Sequence, residues 1–511
     1  MAYKNEELIK LLNNIEFGES VAEIDTLLQS ARVETSVFAD LITDRVDLVP
    51  GTKGSGKSAL FRIFTEFLPE GLLSQHKVVV AHGVQKYGDS VFHVYKDRFE
   101  ELDEDGFVDF WCVYFTSLVY EQFIKNPLYQ ERLRSSGREI DAFRSTCYKA
   151  RIPEIKAKKS LREILDWTFY VLASIKPKAR YKFPDNAGEI ELDLFGRPTI
   201  NEKTAPNSDI DLPVYVEQIK ENIDAILESA GLNLWLMIDR LDEIFPRRSQ
   251  LERRALRGLL RTMRIFTSKQ IRIKAFLRDD ILDAVVSDRE GFTALTHVTA
   301  RQADTLRWAE DDILTMIVKR LSANKNLCDE LGIENEKINA SLEYRRDVFY
   351  KVFPAQVHHG RKQSKTLRWI YNHTADSNNV VTPRDVIDLL TSAKQHQQSL
   401  CMSNPSGESA HIISSQAIQY GLESLSKRKR TKYLEAEFPH LWPQIEKFSG
   451  GKSDYDAPAL RKLLGKDWEQ IIKDLISIGF IAKSGGKDKY IYTIPSIYRK
   501  GLDITQGREI G

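Results

Sequence analysis

"VDLVPGTKGSGKSALFRIF", residues 46–64, is the stretch on which the fold turns. Its centre matches G-x-x-x-x-G-K-[ST] from Gly51 to Ser58, with Lys57 and Ser58 completing the pattern. An apolar run precedes it and an amphipathic helical pattern follows, and the motif works only as such a strand–turn–helix unit. Glycines at 51, 54 and 56 let the backbone curl so that its N–H groups converge on phosphate oxygens. Gly51, Thr52, Lys53, Gly54, Ser55, Gly56, Lys57 and Ser58 are therefore the expected phosphate cradle. In such a loop the lysine reaches the β- and γ-phosphates and the hydroxyl of Ser58 ligates Mg²⁺.

A second apolar run, "LWLMIDRLDEIF" at 234–245, ends in Asp239, Asp242 and Glu243. Leu, Trp, Leu, Met and Ile in succession read as a strand covered on both faces, so the acids emerge at the carboxyl edge of a parallel sheet, where open α/β sheets bind ligands. Asp239 is expected to share the Mg²⁺ with Ser58. An acid beside it is needed to orient or deprotonate the attacking water. The position directly after Asp239 is Arg240, which leaves Asp242 or Glu243, and the residues do not choose between them. Further strands are expected at 76–84 ("HKVVVAHGV"), 271–278 ("IRIKAFLR") and 294–300 ("ALTHVTA"). Arg278 ends its strand as Asp239 ends the other, which suits a γ-phosphate sensor; the competing reading is an arginine paired with Asp279 or Asp280.

Bulk properties exclude several classes. A length of 511 residues exceeds what one core serves. No apolar run is long enough to span a bilayer, so no membrane partner is expected. The opening "MAYKNEELIKLLNNIEF" lacks the apolar segment of a secretory signal, which points to a cytoplasmic protein. Cys112, Cys147, Cys328 and Cys401 are too scattered for a metal site or a disulfide framework. A net charge of +1 excludes a whole-protein basic field, so any nucleic-acid surface must be local.

The expected organisation is an N-terminal helical segment over 1–33, an α/β core over 34–323 carrying a helical insertion at about 86–213, a helical lid over 324–412, and a winged-helix domain over 413–511. The insertion is expected because almost 150 residues separate the second strand from the acidic motif, more than one crossover helix needs. In the lid, "VVTPRDVIDLLTSA" puts Pro383 in a helix's first turn with Thr382 as cap, presenting Arg384 either to a γ-phosphate or simply to solvent. The last segment reads helix, turn, helix, then two short strands around a Gly-Gly turn. Lys466 and Lys473 on its second helix could meet a DNA major groove, diluted by Asp467, Trp468 and Glu469. The densest basic run, "SKRKRTK" at 426–432, reads most simply as a solvated helix face. Arg247, Arg248, Arg253 and Arg254 are arginine-finger candidates for a neighbouring subunit, or members of a salt-bridged helix.

"GTKGSGKSAL", "MIDRLDE", "AFLRDDI", "TPRDVIDLL" and "YTIPSIYRKGL" together resemble a bacterial group of P-loop ATPases near the STAND and KAP branches of the AAA+-related NTPases, from about residue 18 to 502. The resemblance implies ATP on Gly51–Ser58, Mg²⁺ at Ser58 and Asp239, hydrolysis assisted by Asp242 or Glu243, and sensor roles for Arg278 and Arg384. It also implies a regulatory switch in signalling or anti-phage defence, working with a protein effector or by self-association. Adenine recognition is expected from "FADLITDRV", residues 38–46. Two other readings stay open: an initiator or loader that grips double-stranded DNA under ATP control, and an ATP-binding scaffold with little turnover.

Overall fold

In the computed structural model of the chain, residues 3–83, 95–150, 168–169, 172, 212–241, 249–286, 299–485 and 490–509 are described. They fall into two compact units: one comprises Ser36–Thr52 and Lys57–Leu306, the other Met1–Thr35, Lys53–Gly56 and Arg307–Gly511.

The first unit is built on four parallel strands, β1 (Leu48–Gly51), β2 (Val78–Gly83), β3 (Asn233–Ile238) and β4 (Ile271–Arg278), in the order β1-β4-β3-β2. Buried runs such as Val78–Ala81 and Leu234–Ile238 form these strands because both faces are covered. A fifth line of pairing flanks β1. Leu48 bridges Gln302 in parallel, Ala303 N–H donates to Leu48 O (2.8 Å), and Leu306 N–H donates to Pro50 O (2.9 Å). The edge expected at 294–300 is thus supplied by 301–306. Residues 294–298 lie outside the described residues, and Thr299 and Ala300 are helix and turn. The strand that carries Asp239 is separated from the loop strand by β4, which is the arrangement of ASCE-type P-loop NTPases.

The insertion's long helix, Glu104–Lys125, is buried nearly all round, from Phe107 to Phe123, so it forms core rather than surface. It lies close against the helix Gln250–Phe266: a Cβ on Gly258 would come within 2.5 Å of Phe107 Cβ, and Trp111 Nε1 donates to Ala255 O at 2.9 Å. Of the rest of the expected insertion, residues 151–211 lie outside the described residues apart from Thr168, Phe169 and Leu172.

The second unit has one continuous apolar core running from Leu8 of the helix Asn5–Asn14 to Ile504. Its helices include α1 (Glu310–Leu321), α2 (Thr366–Thr374), α3 (Pro383–Ser403) and α4 (Ser415–Lys429). The winged helix is formed as expected. Strand β5 (Lys452–Tyr455), helices α5 (Ala457–Leu464) and α6 (Trp468–Ser477), and the antiparallel pair β6 (Ala482–Ser484) and β7 (Ile491–Thr493) follow in order. A last strand, β8 (Thr505–Glu509), adds in parallel to β5. Near the N-terminus Arg320 and Asp25 form a buried pair (2.6 Å) over Gly18, whose positive φ of 71° and lack of Cβ make room for the guanidinium.

Candidate phosphate-binding site

The loop expected from the motif joins β1 to the helix Lys57–Arg62. Gly54 and Gly56 sit at φ of 84° and 101°, a region that side-chain-bearing residues seldom adopt, so the motif's glycines are required by the backbone itself. Lys57 Nζ donates to Gly51 O (2.6 Å) and Thr52 O (2.9 Å), which holds its ammonium over the loop. Thr52 Oγ1 and Ser55 Oγ are buried without a hydrogen-bond partner. Two orphaned hydroxyls, a captive ammonium and glycine-dependent curvature form a donor set that fits a polyphosphate, because buried polar groups otherwise cost free energy.

Gly51 pairs in register with Arg278, and Asp239 directly follows β3, so all three lie at the carboxyl edge of the sheet. Asp239 is buried, at 3% exposure; its carboxylate and the Ser58 hydroxyl are hard oxygen groups of the kind that could hold Mg²⁺. Arg240 adopts a left-handed backbone, φ 62°. Asp242 and Glu243 lie outside the described residues, as do Arg247 and Arg248. Arg278 is buried and forks onto Asp280, with Nε to Oδ1 and Nη2 to Oδ2 both at 2.9 Å. Arg254 donates to Leu102 O at 2.9 Å, which ties it to the insertion.

The tip of the loop, Lys53–Gly56, groups with the second unit. Thr382 caps α3, accepting from Asp385 N, and Pro383 occupies the first turn, as the sequence implies. A Cβ on Gly54 would lie 3.3 Å from both Thr382 Oγ1 and Arg384 Cβ, so this cap and Arg384 rest directly on the loop tip. Arg384 Nε meanwhile donates to Ser20 O at 3.1 Å. Two contacts here had no signal in the sequence. Trp308 Nε1 donates to Ser55 O (2.7 Å), Tyr371 Oη donates to the main-chain Trp308 O (3.0 Å), and Lys53 pairs with Glu437. Neither Trp308 nor Glu437 belongs to a local motif, and each meets its partner across more than 250 residues of chain.

From the same cap a polar chain continues. Thr382 Oγ1 donates to Asp385 Oδ2 (2.8 Å), which also pairs with Lys429 (2.8 Å). The Lys429 ammonium lies 4.7 Å from the Tyr433 ring centre, and Tyr433 Oη donates to Ile478 O, at the end of α6, at 3.2 Å.

The segment 38–46, expected at the adenine, is committed to packing and charge. Phe38 is buried against Phe64, and Asp44 and Asp47 surround Lys274, a fully buried lysine inside β4. Lys274 Nζ donates to Asp44 Oδ1 (2.7 Å), Val46 O (2.8 Å) and Asp47 Oδ1 (3.3 Å), and Arg301 Nε donates to Asp47 Oδ2 at 2.6 Å.

Among the described residues no cluster of His, Cys, Asp and Glu could by itself hold a metal, and no helix is long and apolar enough to cross a membrane. The strand order and the glycine-dependent loop define the fold class: an α/β P-loop fold with a parallel sheet, followed by a C-terminal winged helix. No protein-family model and no curated protein matches the chain. Among solved structures it is similar to the ORC2 protein of Aeropyrum pernix in its ADPNP–ADP complexes (12% identity, 92% of this chain and 93% of that one, TM-score 0.39). It is also similar to a Walker-type ATPase of Pyrococcus abyssi (11%, 92% and 93%, TM-score 0.35) and to Cdc6p of Pyrobaculum aerophilum (10%, 58% and 72%, TM-score 0.23).

Proposed function

We propose that the chain binds and hydrolyses ATP with Mg²⁺ and uses the nucleotide as a conformational switch. The observation that carries this reading is the grip of the helical unit on the loop tip: Thr382 and Arg384 on Gly54, Trp308 on Ser55, Glu437 on Lys53. A polyphosphate held by Gly51–Ser58 reorders the loop that these residues touch, so differential contact with the phosphates becomes differential contact with the lid.

In this reading Lys57 leaves the carbonyls of Gly51 and Thr52 for the β- and γ-phosphate oxygens. Ser58 and Asp239 hold Mg²⁺, which when bound neutralises charge on the phosphate oxygens. Asp242 or Glu243 orients the attacking water, and Arg278 and Arg384 answer to the γ-phosphate. The chain Thr382–Asp385–Lys429–Tyr433 supports transmission from the cap on Gly54 to the end of α6. Such a switch suits regulation in the bacterial cytoplasm through a protein effector or self-association. A second reading, ATP-controlled gripping of DNA by an initiator- or loader-like protein, is favoured by the winged helix and by the exposure of Lys473 on α6 and of Lys466, which lies in the turn before α6 and not on it.

The test is nucleotide binding and phosphate release by the full chain. Lys57→Ala and Asp239→Asn each lower turnover at least tenfold, and Lys57→Ala also weakens ATP binding. Unchanged ATP binding by Lys57→Ala would sink the assignment of the loop. Wild-type binding without turnover would leave the scaffold reading in its place.

A further inference from the structure

From Val348 to Ala375 the chain contains no acid, while Lys351, Arg361, Lys362, Lys365 and Arg368 fall within the same stretch. Two of these cations are used internally: Lys351 Nζ donates to Leu331 O (2.7 Å) and Gly332 O (3.1 Å), and Arg368 pairs with Glu310 at 2.6 Å. Arg361, Lys362 and Lys365 are exposed and form no ion pair among the described residues.

These three sit on a turn that is built without them. Gln356 bridges Lys365 antiparallel, and its Nε2 donates to Gly360 O (3.1 Å) and Gln363 O (2.8 Å). Gln363 N–H donates to Gly360 O (3.0 Å), Thr366 N–H to Ala355 O (3.0 Å), and Ser415 Oγ to Gln356 O (3.1 Å). Gly360 takes a φ of 151° within the turn. Val357 is buried beneath it, at 2% exposure. A held turn presenting unpaired cations has little to order on binding, which favours association. Exposed His358 and His359, with half-buried His411 beside them, extend the surface without adding an acid.

We infer that this turn, residues 358–365, binds the phosphodiester backbone of nucleic acid, and that it, rather than the second winged-helix helix, provides the unit's principal contact with duplex DNA. The exposed face of α6 carries Glu469, Gln470 and Lys473, with Asp474 half-exposed and bonded to Gln470, so its signs cancel where a groove-reading helix needs positive charge. The run Lys427–Arg430 is engaged in bonds within its own unit. A membrane surface fits less well, because none of the exposed large apolar side chains lies on the turn to insert among lipids. Arg361 can fork a phosphate while Lys362 and Lys365 act as point charges on its neighbours. The inference deepens the DNA-gripping reading and does not depend on hydrolysis.

The test is binding of the full chain to a labelled duplex of arbitrary sequence over a series of salt concentrations. The slope of log K against log salt changes by about 0.9 per phosphate neutralised, so R361A/K362A/K365A lowers its magnitude by about 2.7, while K466A/K473A changes it by well under the roughly 1.8 that two phosphate contacts would give. The triple variant's urea midpoint and ATP binding stay at wild-type values, which separates loss of the turn's function from misfolding and from failure of the nucleotide site. A triple variant with the wild-type slope, or a wild-type chain that binds anionic vesicles but not duplex, would overturn the inference.

Discussion

Two basic runs of the chain have opposite fates. In 427–430 every cation is engaged: Lys427 with Glu423 (2.6 Å), Arg428 with Asp388 O (2.9 Å) and Ser392 Oγ (3.1 Å), Lys429 with Asp385 (2.8 Å), and Arg430 with Glu435 (2.9 Å) and the Trp442 ring. That run is the one that stands out in the sequence; its simplest reading, a solvated face, holds for exposed Lys427 and Lys432, whereas Lys429 is mostly buried and Arg428 and Lys429 bond α4 to α3. In 361–365 the charge density is lower, yet all three cations are exposed and form no ion pair among the described residues. Local charge density counts side chains. What a partner can use is the charge left after partners distant in sequence have taken theirs, and that is a property of the fold.

The contrast can be pressed at four points. Its limit is Lys274, a fully buried cation held by Asp44, Asp47 and Val46 O; Lys274→Ala removes all three bonds and leaves Asp47 to Arg301 alone, so it lowers unfolding stability by about 3–5 kcal/mol in urea titration. A midpoint near wild type would mean that burial is not what fixes that lysine. Lys429→Ala comes next, at about 3 kcal/mol, because Asp385 is 6% exposed in its side chain and loses its ammonium partner. In R361A/K362A/K365A stability moves by no more than about 0.5 kcal/mol, as for surface changes without partners; a larger loss by thermal or urea unfolding would show that the turn's cations are structural after all.

The smallest effect concerns His373, in the same acid-free stretch. Burial lowers its pKa most, Trp369 O accepting from its ring opposes this, and His358 and Arg499 nearby lower it further. The unfolded chain therefore takes up a proton near about pH 6.5 that the folded state resists. His373 contributes stability that is fully present above that pH and is lost as pH falls below it. His373→Phe keeps a ring against Trp369 and flattens the acid-side loss between about pH 7 and 5 in urea midpoints. An unchanged pH profile would assign that loss elsewhere.

Much of the fold was legible because its signals are contiguous. The Gly51–Ser58 motif carries its own strand and helix, Ile271–Arg278 is one apolar run, and the α3 cap is spelled out by Thr382 and Pro383. The winged helix was readable from the alternation of short elements around turns. The pairing of 301–306 beside β1 had no signal in the sequence, because it runs through a few backbone bonds without an apolar run to announce it. Around the site, the clasp by Trp308 and Glu437 depends on residues brought together across the chain. Arg278 could be read as a sensor or as a pairing arginine; its fork onto Asp280 is a geometric fact that spacing alone does not decide. The lysine inside "IRIKAFLR" was the one visible hint of the Asp44–Asp47 network, since a buried strand admits a lysine only with partners supplied from elsewhere.

The second unit takes its residues from both sides of the first, and this sets an order of events during synthesis. Between Thr35 and Arg307 lie 271 residues, nearly all of them belonging to the sheet unit. At roughly 5–20 residues per second, the helix Asn5–Asn14 leaves the ribosome about 14–54 s before its first core partners beyond residue 307 are made. During that interval Leu8, Leu11 and Leu12 have no core to enter, while the sheet unit can close on itself. The N-terminal helix is therefore a natural client for a holding chaperone on the nascent chain, and the sheet unit is not.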